Sequence, residues 1–306
     1  MKKFALIIIA VMLVFACLAF TACNNNDIEL VANDAEDLLQ EDFGIAVTKG
    51  DTDILAAVNA VIDEWMSNGN MDKYMAYYSE LAEEGSNPVA PEGLKLEWNL
   101  SGYTDVLNLY TETGFAPYEF ISSKGYPVTN EYSVAGIDIA IACQVAENLG
   151  CKLVIHDILF DNVVESVKNP KDGKGIGAAG ITITAERQES VDFSHIYSSS
   201  TISIVCNAEA QYTKLADLDG LKIGVQEGTS GDLIASAAKT ANGYKYATDF
   251  DDDGNEIAWS TPIKLSGKTK IIQMKSYSAL MQALKNGQID VIVMDKAPAL
   301  LLIKNA

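Results

Sequence analysis

Between Thr52 and Met66 the apolar positions Ile54, Leu55, Val58, Val61, Ile62 and Trp65 recur at helical spacing and stop at Asn68-Gly69, which predicts an amphipathic helix. A second helix is predicted over residues 71–82, and the Gly, Pro and Ser content of GSNPVAPEG, residues 85–93, marks a linker. Elsewhere short apolar runs of strand length alternate with helical stretches. Ile28 to Ala32 and Gly44 to Val47 read as strands. Leu94, Leu96, Trp98 and Leu100 alternate with polar residues as a half-buried strand, expected to form a hairpin with residues 106–111. IDIAIACQVAENLG reads as a helix with Asp138 as N-cap and Gly150 just beyond its end. Further strands are predicted over residues 152–158, 202–206 and 221–225, and helices over 162–168 and 278–285. Ile289 to Met294 is apolar but for Asp290, and reads as a fully buried strand that delivers Asp295 at its carboxyl end. This alternation predicts an α/β fold with parallel or mixed sheets covered on both faces.

Length and composition, 306 residues of which 48% are hydrophobic and seven are proline, provide for two α/β domains with their own cores. The net charge of −20 argues against nucleic acid as a partner, and an anionic ligand would have to be held by local donors. Lys2 and Lys3, the apolar run from Phe4 to Phe20 and then Thr21-Ala22-Cys23 read as an export signal, residues 1–22, ending in a sequence that resembles a bacterial lipobox. Cys23 would then carry a diacylglyceryl anchor; the alternative is an uncleaved N-terminal membrane helix. Cys143 and Cys151 are about 12 Å apart along the predicted helix, too far for a disulfide, and with Cys206 read as buried apolar residues. His156 and His195 have no metal-ligand spacing.

Chemistry concentrates in GITITAERQESVDFS, residues 180–194. It contains Arg187, the only arginine among 22 basic residues, and a guanidinium holds a carboxylate with two parallel N–H donors. Thr182 and Thr184 alternate with Ile181 and Ile183, which places both hydroxyls on one strand face, and Gly180 allows close backbone approach. The competing reading pairs Arg187 with Glu186, Glu189 or Asp192 at the surface. A strand ending at Val225 breaks at Gly228-Thr229-Ser230-Gly231 and restarts as a helix, a backbone anion site. YSSST, residues 197–201, reads as a crossing between domains.

G-x-T-I-T-x-E-R followed by VDFS resembles the ligand-carboxylate motif of the family 3 extracellular solute-binding proteins, which serve amino-acid ABC importers. The resemblance implies a type 2 periplasmic-binding-protein-like fold: two α/β lobes, each a mixed or parallel sheet flanked by helices, joined by two crossing strands around a ligand cleft. It also implies an extracytoplasmic, lipid-anchored monomer without cofactor or bound metal that captures a free, polar amino acid and delivers it to permease subunits. By the matching positions, Arg187, Thr182 and the N–H groups of Thr229 and Ser230 would take the carboxylate, and Asp295 and the Gly180 carbonyl the ammonium. Phe115 and Phe160 would close over the side chain, with Glu112 near its far end. Phe115 and Phe160 are equally readable as core, and Asp295 as the cap of a helix starting at Lys296. Two other classes stay open: a lyase of the cyclohexadienyl dehydratase type with Glu112 as acid or base, and a ligand-sensing ectodomain.

The resemblance also implies a circular permutation. Residues 41–78 look like the usual end of the family, and the usual beginning, a strand leading to G-F-x-P-[FY]-E-F, follows the 85–93 linker. One lobe would comprise residues 40–201, and the other residues 27–33 together with 202–306.

Asp249, Asp251, Asp253 and Gly254 imitate the start of a calcium loop, but Ser260 stands where the twelfth-position glutamate belongs. The loop reads as an acidic hairpin tip. Addition of millimolar calcium is therefore expected to leave the melting temperature unchanged; a rise of several degrees that a chelator reverses contradicts this reading.

Overall fold

The computed structural model describes residues 29–36, 38, 40–129, 131–250 and 256–306. The leader, Cys23, Ile28 and the tip of the acidic loop lie outside them; the strands flanking that tip, Ala247–Phe250 and Glu256–Trp259, pair as an antiparallel hairpin. Among the described residues no helix is long and apolar enough to cross a membrane.

Two sheets dominate. The first has the order Cys151–Asp157, Asp105–Thr111, Gly175–Gly177, Ala46–Thr48, Val191–Phe193, parallel at its first three strands and antiparallel beyond. The second has the order Leu30–Asp34, Ser198–Asn207, Val291–Asp295, Lys222–Gln226, Lys270–Met274. Its parallel strands Lys222–Gln226 and Val291–Asp295 are near-continuous apolar runs because helices cover both faces. Ser198–Asn207 serves both parts of the molecule. Its first residues pair with Gln40–Phe43, from Ser198 opposite Phe43 to Thr201 opposite Gln40, and its remainder runs between Leu30–Asp34 and Val291–Asp295. Gln40–Phe43 and Ser198–Thr201 are thus the two strands that cross between the sheets.

The helix Thr52–Ser67 starts where Asp51 Oδ1 accepts from the Ile54 N–H at 3.1 Å and stops before Gly69, which takes φ 71°. Its stripe of Ile54, Val58, Val61, Ile62 and Trp65 is buried, each large side chain contributing about 1.5–3 kcal/mol. Trp65 stacks on Tyr74 of the helix Asn70–Leu81 at 4.2 Å. In the central strand Asp105–Thr111 the buried Asn108 is satisfied by donating to the Lys171 and Lys174 carbonyls at 2.5 and 2.9 Å and by His156 Nε2 at 2.8 Å. That gives His156 its structural role. Cys143, Cys151 and Cys206 are free and buried.

Three expectations are corrected. Residues 94–100 form no strand: the Tyr74 hydroxyl donates to the Lys95 carbonyl at 2.8 Å, and Trp98 Nε1 donates to Gln144 Oε1 at 3.3 Å. Their apolar side chains pack over helices rather than along a sheet edge, so alternation appears without a ladder. Thr182 and Thr184 do not share a strand face, since the strand ends at Gly177 and Thr184 instead caps the helix Ala185–Ser190 by accepting from the Arg187 N–H at 3.2 Å. Asp138 is not an N-cap. Gly136 occupies that position at φ 133°, where a Cβ would lie 1.9 Å from the Tyr118 carbonyl oxygen. The Asp138 carboxylate points inward, accepting from the Gly180 N–H at 2.9 Å and the Tyr197 hydroxyl at 2.6 Å.

Glu119 is fully buried beside Asp138, and neither of its oxygens has a hydrogen-bond partner. Burial, then the Asp138 charge, push the Glu119 carboxyl well above its ordinary range; burial pushes Asp138 up to about 6. A carboxyl whose folded value is raised binds its proton more tightly in the native state. Its contribution to stability is therefore complete below the ordinary carboxyl range and is lost as pH rises toward the folded value. Glu119→Gln, neutral and of the same shape, is expected to be more stable than the parent by at least ~1 kcal/mol at pH 8 and equal to it at pH 4.5, measured by urea denaturation. Equal or lower stability at pH 8 contradicts the assignment.

Candidate functional site

Eight of the residues singled out from the sequence line one cleft between the two sheets: Glu112, Phe115, Phe160, Gly180, Thr182, Thr229, Ser230 and Asp295. The cavity between them is about 10 Å³, the room of about one water molecule, so the lining residues stand closed in on one another. Gly180 takes φ 53°, and a Cβ there would sit 2.3 Å from the Phe115 ring, so glycine is what lets that ring lie against the chain. Phe115 in turn stacks on Tyr118 at 5.4 Å and on Tyr277 at 5.8 Å.

Arg187, the ninth predicted residue, lies just behind the lining. Buried at 9% exposure, it donates through Nη1 to the Thr182 carbonyl at 2.8 Å and through Nη2 to the Gly228 carbonyl at 3.1 Å. These carbonyls belong to opposite sides of the cleft. The guanidinium carbon is 5.5 Å from the centre of the Phe160 ring, a cation–π arrangement. The surface pairing with Asp192 does not form, since Asp192 pairs with Lys49 at 2.9 Å. Carbonyls give a guanidinium hydrogen bonds but no countercharge, and burial lowers its pKa, so a carboxylate beside it is electrostatically favoured.

The helix Ser230–Ala238 begins at the cleft. Its N-cap Thr229 accepts from the Asp232 N–H at 3.4 Å and donates to the Gln226 carbonyl at 2.8 Å, which holds the first turn against the preceding strand. The Thr182 and Ser230 hydroxyls meet across the cleft at 2.8 Å. Backbone N–H groups at such a terminus, with Arg187 close by, suit an anion. At the other pole stands Asp295, at the N-cap position of the helix Lys296–Lys304, yet its side chain makes no capping bond. Its carboxyl instead belongs to the cleft, with Oδ1 buried and unpartnered. Burial, then the charge of Glu41, push it well above the ordinary range.

At the far end Glu112 is raised to about 7, mainly by burial, while a hydrogen bond from the Gln226 side chain opposes the rise. Across the mouth Lys275 pairs with Asp161 at 3.0 Å and also with Glu227. Gln226, Tyr277 and Ala179 complete the lining and escaped the sequence reading. Gln226 had a signal, a polar residue ending a buried strand; Tyr277 had none, because it reads as the first apolar residue of its helix. His195 lies at the surface, 2.8 Å from Asp63.

Comparison with known proteins agrees with this architecture. Residues 107–236 match the model of the bacterial extracellular solute-binding proteins, family 3. The arginine-binding extracellular protein ArtP of Bacillus subtilis is 26% identical over 119 residues, 39% of this chain and 43% of that protein. A probable histidine-binding protein of Campylobacter jejuni is 27% identical over 213 residues, 69% of each chain. A cyclohexadienyl dehydratase of Pseudomonas aeruginosa is 28% identical over 136 residues, 43% of this chain and 47% of that enzyme. The solved structure of an ancestral arginine-binding protein bound to arginine superposes with a TM-score of 0.50 at 27% identity, over 66% of this chain and 74% of that one. The chain thus spans less than half of the Bacillus relative and about two thirds of the Campylobacter one. With two sheets joined by crossing strands, a cleft between them and a matched segment that carries Arg187 and the Thr229 helix start, the chain is similar over residues 107–236 to the bacterial extracellular solute-binding proteins of family 3.

Proposed function

We propose that the protein captures one free, polar amino acid in this cleft and delivers it to the permease of an ABC importer. The observation that carries the reading is the polarity of the cleft: a buried guanidinium and a helix N-terminus at one pole, a carboxyl at the other. Arg187, Thr182 and the N–H groups of Thr229 and Ser230 take the α-carboxylate, and Asp295 with the Gly180 carbonyl the ammonium. Phe115 and Phe160 cover the side chain, and Glu112 with Gln226 meets its far end. The relatives named for arginine and histidine support a basic or otherwise polar side chain there. Closure is stabilised only as far as the ligand prefers the closed form, and Arg187, Thr182–Ser230 and Lys275–Asp161 are the contacts that span the gap.

Anchoring through a lipid on Cys23, and a permuted lobe order with residues 40–201 as one lobe and 27–33 plus 202–306 as the other, belong to the same proposal. The position of Leu30–Asp34, two strands from Val291–Asp295 in one sheet, supports the second point. A lyase reading has the dehydratase relative and the raised Glu112 in its favour. Thermal-shift screening of the twenty amino acids and an assay for turnover of prephenate and arogenate separate the two: binding without turnover is expected.

Arg187→Lys keeps the charge and loses the fork. It is expected to leave the circular dichroism spectrum unchanged and to weaken binding by about 2–5 kcal/mol, roughly thirty- to several-thousand-fold by calorimetry. A change below about threefold removes Arg187 from the site.

A further inference from the structure

Behind the cleft two carboxyls straddle the crossing strand. In its ladders Glu41 lies opposite Ser200 and Asp295 opposite Ile202. Ser200 and Ile202 are two residues apart and share a face, so the carboxyls lie on that same face. Both are buried, at 8% and 6% exposure, and one oxygen of each, Glu41 Oε2 and Asp295 Oδ1, has no hydrogen-bond partner. The Thr182 hydroxyl, the same one that meets Ser230 in the cleft, donates to Glu41 Oε1 at 3.2 Å. Glu41 therefore touches the ligand-facing groups from behind.

The charged and titratable groups facing the pair are few. Arg187 and Glu186 come from the helix Ala185–Ser190, Tyr277 from the start of its own helix, and Tyr118 from the loop that carries Phe115. Arg187 gives one donor each to the Thr182 and Gly228 carbonyls, which carry no countercharge. Two ionised carboxylates held this close and this dry, beside one cation, are disfavoured by desolvation and mutual repulsion. Burial raises both groups, and the charge of Glu41 raises Asp295 further, so the pair together favours keeping one proton. An ammonium group placed at Asp295 reverses the balance, because a second cation stabilises both carboxylates.

We propose that Glu41 is a positioning residue of the ammonium seat: with Asp295 it holds one proton in the empty protein, and capture of the amino acid expels that proton. The proposal rests on the reading of the cleft as an amino-acid site. The carboxylic O–H bond breaks, the proton passes to solvent buffer, and two carboxylates remain around one ammonium; no oxidant or reductant takes part.

Two measurements test it. In the first, L-arginine, L-histidine and L-glutamine are titrated calorimetrically at pH 7 in phosphate and in Tris, whose ionisation enthalpies differ. The parent is expected to release about one proton more than Glu41→Gln, and its affinity to rise by up to about tenfold per pH unit where Glu41→Gln is flat. Glu112→Gln, measured in parallel, separates any proton lost at the far end. Binding with equal release in parent and Glu41→Gln overturns the proposal. In the second, difference infrared spectra of the empty proteins at pH 7 are expected to show a protonated-carboxyl band that weakens in both Glu41→Gln and Asp295→Asn. An unchanged band in both overturns it whatever the cleft binds, and having two variants covers the case in which one fails to fold. If all three amino acids are silent while the band behaves as expected, the shared proton stands and the amino-acid reading falls.

Discussion

Ser198–Asn207 is a single extended segment that must satisfy backbone groups in two places at once, and most of the molecule is arranged by that requirement. Its first residues can pair only with Gln40–Phe43, and its later ones only between Leu30–Asp34 and Val291–Asp295. An unpaired buried N–H or C=O is disfavoured by about 1–3 kcal/mol, so a slip in register at either end is penalised at several positions together. This register brings Glu41, Ser200, Ile202 and Asp295 to one face and puts Asp295 at the cleft.

A second constraint acts through Asp138. Its carboxylate fastens the Gly180 N–H from the cleft wall and the Tyr197 hydroxyl from the approach to the crossing strand. Gly180 could not hold its φ against Phe115 with a side chain present, so Asp138, Gly180 and the Phe115 ring fix this stretch of the cleft wall as one unit. Buried carboxyls recur along this unit: Glu119, Asp138, Glu41, Asp295 and Glu112 all have raised affinities for protons. In a chain with net charge −20 they are acids held wholly or partly out of solvent, and Glu112 and Asp295 among them line the cleft. Perturbed carboxyls in such numbers around one cavity mark a functional site better than any one of them does.

The α/β character, the helices at 52–67, 70–81 and 277–285, the buried Val291–Asp295 strand and the glycine-assisted helix start at Thr229 were legible because each depends on local periodicity or capping. So was the importance of Arg187, whose solitude among lysines is a property of composition. Tertiary structure decided what depends on distant partners. Residues 94–100 carry strand-like alternation but spend it on helix faces; Asp138 occupies a capping position in sequence, yet its carboxylate is claimed by Gly180 and Tyr197, 42 and 59 residues away. Glu41 looks like the polar start of a surface strand until the ladder to Ser200 buries it beside Asp295. A burial fraction and a neighbour's charge are sums over the whole fold, whereas periodicity and caps are sums over a few residues, and that is why the elements could be read from the chain while the ionisation of its site could not.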